Sequence, residues 1–575
     1  MLQSASRVEI FTFFPGCMRL HTNTSIAFST FGLFIASILL IPLGAIAINL
    51  FVPSGGAWEH LLATVMPEYV ANSLALLIWV ALGVIIFGTG CAWLTAHCEF
   101  PGRSLCEWLL VLPLAMPAYV MAYAYTDLLQ YTGPVQEMLR ALMGWRDRSD
   151  YWFPEVRSLT GAALMFIFVL YPYVYMLARV AFLEQSSAYQ EVGRTFGYSL
   201  WKMFWRVSLP LARPAIVAGT SLALMEVLAD FGTVSYFGVQ TFATGIYRAW
   251  FSMGDAVTSA KLAMMLLGFV VVLLVGERFL RRRARYFHGG KSAPPRLHLY
   301  GARAIVAFLF CLLPLSVGFF IPLIILIKMT FLQGDPQWAS HFSRLIWNSV
   351  TLAVLASLLI TAIAAILTYA VRLQPSKLLR SVNRLAGLGY AVPGVVIAIG
   401  VLIPVTQLDH RLAHVLQNHF GLNVGLIFTG SIAALIYAYL IRFLALAQGT
   451  VETGLARITP SMDDAARSLG LTPLQTFFRV HIPLLWGSLG TASLLVFVDV
   501  MKELPATLVM RPFNFDTLAV QAYNLASDER LSEASTASLA IVMAGLIPVI
   551  IASRQIAKSA RQKRGNLATA TDNLG

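Results

Sequence analysis

Twelve stretches of this 575-residue sequence stay apolar for about the length of a bilayer, and that recurrence leaves few folds open. A helix needs about 20 apolar residues to cross a hydrocarbon core of roughly 30 Å. The spacing predicts spans near 26–52, 73–96, 108–131, 160–183, 213–233 and 260–280. A second set is expected near 303–331, 349–371, 385–406, 424–447, 485–505 and 536–553. Only 12% of the residues are charged and 58% are hydrophobic, where a soluble domain carries roughly 25% charged residues. The chain therefore reads as an all-α polytopic membrane protein, and a soluble enzyme, a disordered chain and a nucleic-acid-binding domain are excluded. The first apolar run exceeds the roughly 7–15 residues of a secretory signal core, so it is expected to remain as a spanning helix.

Orientation follows from the bias in Lys and Arg. Arg278, Arg281, Arg282, Arg283, Arg285, Lys291, Arg296 and Arg303 follow the sixth span, and Arg554, Lys558, Arg561, Lys563 and Arg564 follow the last. Basic flanks face the cytoplasm, and Arg7 and Arg19 agree for the N-terminus. Both termini are expected inside, which requires an even number of spans. The net charge of +13 thus reflects membrane topology and not nucleic acid. Cys17, Cys91, Cys98, Cys106 and Cys311 show no zinc spacing and read as reduced thiols in or near the bilayer.

The two halves are one unit written twice. Asn72-Ser73 matches Asn348-Ser349, Trp93 matches Tyr369 and Pro117 matches Pro393, all 276 residues apart. Gly197 then matches Gly470, Pro210 matches Pro483, Glu226 matches Asp499, Asp230 matches Glu503 and Thr244 matches Thr517, at 273. Six spans per copy make the repeats parallel, related by an axis along the membrane normal. The expected organisation is a first repeat over 1–280, a basic cytoplasmic linker over 281–302, and a second repeat over 303–575 with a short basic tail.

Two long cytoplasmic segments occupy equivalent places. The first reads Glu191-Val-Gly193-Arg-Thr-Phe-Gly197, nine residues, then Val207-Ser-Leu-Pro210. The second reads Asp464-Ala465-Ala466-Arg-Ser-Leu-Gly470, nine residues, then Val480-His-Ile-Pro483. Each is expected to form a short amphipathic helix, a glycine turn, a second short helix, and a proline opening the next span, where its missing amide donor is harmless. These segments resemble the EAA loops of ABC importer permeases: E-A-A, three residues, Gly, nine residues, then I-x-L-P. The wording departs from that pattern at Glu-Val-Gly in the first copy and Asp-Ala-Ala in the second. The resemblance narrows with Leu228-Ala-Asp-Phe-Gly-Thr-Val-Ser-Tyr-Phe-Gly238 and Asp499-Val-Met-Lys-Glu-Leu-Pro-Ala-Thr-Leu508, which look like fused two-repeat permeases of ferric-iron importers.

That resemblance implies a transport subunit of the inner membrane with no catalysis or cofactor of its own, and ATP and magnesium held by partner subunits. Two copies of a cytoplasmic ATPase would grip the loops at Glu191, Gly193, Gly197 and Pro210 and at Asp464, Ala465, Ala466, Gly470 and Pro483. A periplasmic binding protein would deliver the cargo, ferric iron. Thiamine, polyamine and phosphonate importers share the loops, so those cargoes stay open. A secondary transporter of the major-facilitator kind also has six plus six parallel spans, but the paired loops and the lack of a G-x-x-x-D-R-type loop argue against it.

Glu226 and Asp499 fall about 24 Å beyond Pro210 and Pro483 at 1.5 Å per helical residue, with Asp230 and Glu503 one turn further. Their i, i+4 spacing would put each pair on one helix face. Acids at mid-bilayer cost about 2.5–3.5 kcal/mol on insertion scales, so they need a reason. Together with Tyr236 they would suit a hard trivalent cation, which favours oxygen ligands; the alternative is a structural or docking role. His410 and His414, with His419, follow Asp409 in the loop after the ninth span and could ligate metal or simply form a polar helix. Gly290-Lys291-Ser292 lacks the rest of a P-loop. The aromatic and charged 132–159 segment reads either as an interfacial belt or as a contact surface for a delivering protein.

Overall fold

The computed structural model describes residues 15–54, 56–185, 195, 198–281, 296–333, 342–374, 376–423 and 425–550. Among the described residues eleven helices are long and apolar enough to cross a bilayer. A further pair, Arg103–Ala115 and Ala118–Met143, is bent by 93° at a short break and brings the number to twelve when it counts as one crossing. The chain is thus an all-α polytopic membrane protein.

The break corrects the straight third span expected at 108–131. The helix Arg103–Leu109 passes into a 3-10 turn, Leu112–Ala115, and Pro117 sits extended at φ −62° and ψ 142° before the helix Ala118–Leu129. Proline cannot donate to the preceding turn, and it drives the residue before it out of the α region. The second copy repeats the device. Lys377–Ala386 runs into the 3-10 turn Gly387–Ala391, and Pro393 at φ −55° and ψ 141° opens the helix Gly394–Phe420. The ninth span therefore starts at Gly394 instead of 385.

The tenth span, expected at 424–447, lies at Ile432–Leu455. Asp409 explains the shift: its carboxylate accepts from the amides of Ile427, Phe428 and Thr429 and from the Thr429 hydroxyl at 2.7 Å, so these residues are held out of the helix. The fifth and eleventh spans begin about a dozen residues earlier than expected, at Trp201–Ala229 and Pro473–Met501. Pro210 and Pro483 do not open them. Each follows a π-helical turn, Phe204–Ser208 and Phe477–His481, and the helix continues through it. A widened turn accommodates a residue that cannot make the regular bond.

The chain packs as two compact units, one from Met1–Pro42, Ala353–Tyr390 and Tyr439–Phe497, the other from Leu43–Leu352, Ala391–Ala438 and Val498–Gly575. In the larger unit, helices Met66–His97 and Leu209–Ala229 both pack on Leu159–Leu183. A Cβ on Gly219 would lie 2.7 Å from the Val174 Cα and 2.8 Å from the Tyr173 carbonyl oxygen. Glycine is what lets these backbones meet, since packing rather than water drives association in lipid. The buried Arg179 bonds Glu107, Arg103 Nη1 donates to Glu107 at 2.9 Å, and Arg103 and Arg296 both donate to Glu99. Beside them Cys98–Glu99 pairs in parallel with Leu297–His298, so the end of the stretch expected as a linker is tied to the segment after Met66–His97. Residues 282–295 of the linker lie outside the described residues.

The repeat is visible in hydrogen bonds as well as in sequence. Asn72 Nδ2 donates to the Gln240 carbonyl at 2.9 Å and Asn348 Nδ2 to the Asp516 carbonyl at 3.1 Å, across the same chain separation. In the smaller unit, buried Gln448 donates to Asn383 Oδ1 at 2.7 Å, and Leu455, Ile458 and Leu485 form a small apolar cluster.

Candidate functional site

The second loop has the expected helix, glycine turn and second short helix, while its proline lies inside the eleventh span. Thr459 precedes a helix, Pro460–Ser468, and Gly470 at φ +75° reverses the chain. Thr472 and Gln475 then form a reciprocal cap on Pro473–Thr476, satisfying amides that the helix leaves open. Ala466 is buried, while the Asp464 side chain is exposed and pairs with Arg467 Nη1 at 3.5 Å. Leu469 is 80% exposed. An exposed apolar side chain beside an exposed acid and Ala465 makes a compact surface on the tip of the loop.

Asp463, not Asp464, anchors this helix. Its Oδ2 accepts from Arg372 Nε at 2.9 Å, and its Oδ1 lies 2.7 Å from His481 Nε2. Arg372, at the end of the helix Phe342–Leu373, also donates to the carbonyls of Leu455 and Ile458. His481 is fully buried in the π turn against the Tyr369 ring, and its Nδ1 has no partner among the described residues. The Tyr369 hydroxyl donates to the Pro473 carbonyl at 2.9 Å. One carboxylate thus joins the loop helix, the end of one span and the start of another. Sequence reasoning passed over it because the motif uses one acid; the adjacent pair Asp463-Asp464 was the available signal. The repeat equivalents are Ala96 for Arg372, Gln190 for Asp463 and Ser208 for His481, so the first copy lacks these side chains.

Of the first loop, Glu191, Gly193 and Gly197 lie outside the described residues. Pro210 is described and follows the π turn, as Pro483 does. Gln185 Nε2 donates to the Ser208 carbonyl at 2.9 Å at its entrance.

The acids divide into two kinds. Helices Leu209–Ala229 and Ile482–Met501 end before Asp230 and Glu503, so the expected shared faces with Glu226 and Asp499 do not form. Asp230 accepts from the Thr233 amide at 2.8 Å, the Thr233 hydroxyl at 3.1 Å and the Val234 amide at 3.4 Å. Glu503 accepts from the Ala506 and Thr507 amides at 2.9 and 3.0 Å and the Thr507 hydroxyl at 2.6 Å. Each carboxylate caps a short helix, Gly232–Tyr236 or Pro505–Met510, where open amides favour an anion. Glu226 and Asp499 stay on their helices, half-buried, and Asp499 pairs with Lys502 Nζ at 2.9 Å. Tyr236 is buried, with Arg157 Cζ 4.9 Å over its ring and the Tyr123 ring edge-on at 4.7 Å.

His410, His414 and His419 lie on the continuous helix Gly394–Phe420 and not in a loop. His414 contacts Asn418 and His419 the Val415 carbonyl, and no group of three or more His, Cys, Asp or Glu able to hold a metal occurs among the described residues. Cys91, Cys98, Cys106 and Cys311 are free and buried. In the 132–159 segment the Trp145 and Tyr151 rings stack at 4.8 Å, Asp147 and Asp150 form a capping box, and Trp152 is 86% exposed. The two amides that Asp150 accepts from hold its carboxyl below the usual range.

Residues 84–285 match the family described as the binding-protein-dependent transport system inner membrane component. The Fe(3+)-transport system permease protein FbpB 2 of Haemophilus influenzae is 26% identical over 495 residues, 84% of this chain and 89% of that protein. A ferric transport system permease protein of Actinobacillus pleuropneumoniae is 23% identical over 79% of this chain and 66% of its own length. The molybdenum transport system permease protein ModB of Escherichia coli is 27% identical, and 96% of it aligns with 38% of this chain. Such a relative corresponds to roughly one repeat, while the ferric relatives run across both.

Proposed function

Because this chain is a permease of the binding-protein-dependent transport class, we propose that it carries both halves of the translocation path of an ATP-driven importer for ferric iron. The observation that carries the cargo is the alignment with a ferric-iron permease across 84% of the chain, through both repeats. In this reading two copies of a cytoplasmic ATPase hold the loops around Gly197 and Gly470, with Asp464, Ala465 and the exposed Leu469 as the contact surface of the second. A periplasmic binding protein delivers iron at the opposite face. In this reading the chain lies in a bacterial inner membrane with both termini cytoplasmic, which the basic flanks support.

The chemistry of this chain is mechanical. ATP and magnesium belong to the partner subunits, and closure of the ATPases pushes on the loop helices. Asp463 passes that push to two spans through Arg372 and His481, because one carboxylate hydrogen-bonded to both ties them to the loop helix. Glu226 and Asp499, on the spans themselves, offer half-buried carboxylates along the path, whereas Asp230 and Glu503 hold the helix turns in shape.

The test is uptake of radiolabelled ferric iron into proteoliposomes containing the permease, its ATPase and its receptor. ATP-dependent accumulation supports the assignment. Assembly and ATP hydrolysis with movement of sulfate, molybdate or another cargo instead of iron overturns the iron reading and leaves the importer class intact.

A further inference from the structure

The larger unit contains a group of phenols that packing alone does not explain. Tyr119 and Tyr123, one helical turn apart on Ala118–Leu129, are 4% and 2% exposed, with ring centroids 5.8 Å apart. Tyr236 closes edge-on to Tyr123 at 4.7 Å, and the Tyr523 hydroxyl lies 2.8 Å from Oγ of Ser235, the residue before Tyr236. The Tyr119 hydroxyl donates to the Lys502 carbonyl at 3.4 Å, while the Tyr123 hydroxyl has no partner among the described residues. A buried hydroxyl without a partner costs about 1–3 kcal/mol, so a phenylalanine would serve a purely structural purpose better.

The internal repeat supplies the control. The positions equivalent to Tyr119, Tyr123 and Tyr236 are Val395, Ile399 and Val509, all buried aliphatics in the same unit. The same local fold is therefore built in the second copy without phenols. Asp230 caps the helix whose Gly232 packs against the Tyr119 side chain, and Glu503 follows the Lys502 whose carbonyl accepts from the Tyr119 hydroxyl, so both carboxylates stand near it. Three hydrogen bonds occupy most of the acceptor capacity of each, so they contribute negative field more than ligand atoms. Hard oxygen donors in a negative field suit a small, highly charged cation, and weak ligation suits a path from which the ion must leave.

We propose that Tyr119 and Tyr123, flanked by Tyr236 and Tyr523, form a transient binding station for a hard trivalent cation on the translocation path. This rests on the ferric-iron reading above. Each phenol that ligates releases its proton to water, and no electron is transferred. The Arg157 guanidinium on the Tyr236 ring opposes a standing cation there, and its bond to Glu529 at 3.1 Å holds it at the edge of the group. The station is accordingly centred on Tyr119 and Tyr123.

The experiment titrates ferric nitrilotriacetate into the purified permease–ATPase complex and reads the visible phenolate-to-iron charge-transfer band, with iron uptake measured in parallel. Tyr123→Phe should weaken iron affinity by about tenfold or more, the size that even outer partners command at metal sites. Tyr119→Phe with Tyr123→Phe should abolish the band. Arg157→Gln should strengthen it, an effect that a merely structural role for the phenols does not produce. A wild-type complex that imports iron but shows no band, or whose uptake survives the double Phe change, overturns the station and leaves the iron reading standing. A wild-type complex that assembles and hydrolyses ATP but imports no iron overturns both.

Discussion

Replacing Asp463 with Ala should loosen the second loop far more than replacing its exposed neighbour Asp464. Asp463 gives one oxygen to Arg372 at 2.9 Å and the other to His481 at 2.7 Å, and its side chain is 22% exposed against 18% for Arg372 and 0% for His481. Loss of a hydrogen bond to a charged group costs about 1.5–3 kcal/mol, and an orphaned buried donor about 1–3 kcal/mol. Removing one partner of a buried pair costs about 3–5 kcal/mol when nothing else compensates. Arg372 keeps two carbonyl acceptors, which places the loss near the lower end, about 3 kcal/mol, or roughly a hundredfold in the opening equilibrium of the loop helix. The exposed Asp464–Arg467 pair contributes about 0–1 kcal/mol. Hydrogen exchange of the amides over 460–468 in the purified permease measures this directly. Asp463→Ala should accelerate exchange about a hundredfold and uncouple ATP hydrolysis from uptake, and Asp464→Ala should leave exchange near wild type. Equal exchange in the two variants would refute the anchoring role. So would an Asp463→Ala, Arg372→Ala double variant whose effects simply add, since paired groups do not act independently.

Gly470→Val places a β-branched side chain at φ +75°, at a cost of about 1–3 kcal/mol; uptake should fall while membrane insertion, read by yield and proteolysis, stays normal. Gly219→Ala drives a Cβ to within 2.7 Å of a backbone atom, an overpacking cost of about 1–3 kcal/mol, and should lower thermal stability in detergent. Gly487→Ala, whose added Cβ meets nothing within 4 Å, is the matched control and should not. For Glu99, burial works against the charge but Arg103 and Arg296 outweigh it, leaving the carboxyl below its ordinary 4.5. A depressed carboxylate stabilises fully above its unfolded value and loses that contribution as pH falls through the folded one. The melting temperature should therefore drop on acidification below 4.5, and Glu99→Gln should remove that part of the slope; an identical profile in the variant would contradict the clamp.

The sequence by itself determined the membrane class, and it predicts a doubled unit and a helix–glycine–helix form for the second loop. Those features depend on local quantities: the length of an apolar run, a constant offset between Asn72 and Asn348 or Pro210 and Pro483, and a glycine where the chain must reverse. Tertiary structure decided what polar groups do once buried. Asp230 and Asp499 are both acids near the ends of apolar helices, yet one caps Gly232–Tyr236 and the other pairs with Lys502. Spacing cannot separate these fates, because the helix stops at Ala229 only when a cap offers better bonds than another turn. Asp409 moved a span by holding the amides of a loop 18 to 20 residues away, and Asp463 found Arg372 and His481 across 91 and 18 positions. A charge taken out of water takes the nearest partner in space, and sequence order does not encode that neighbourhood.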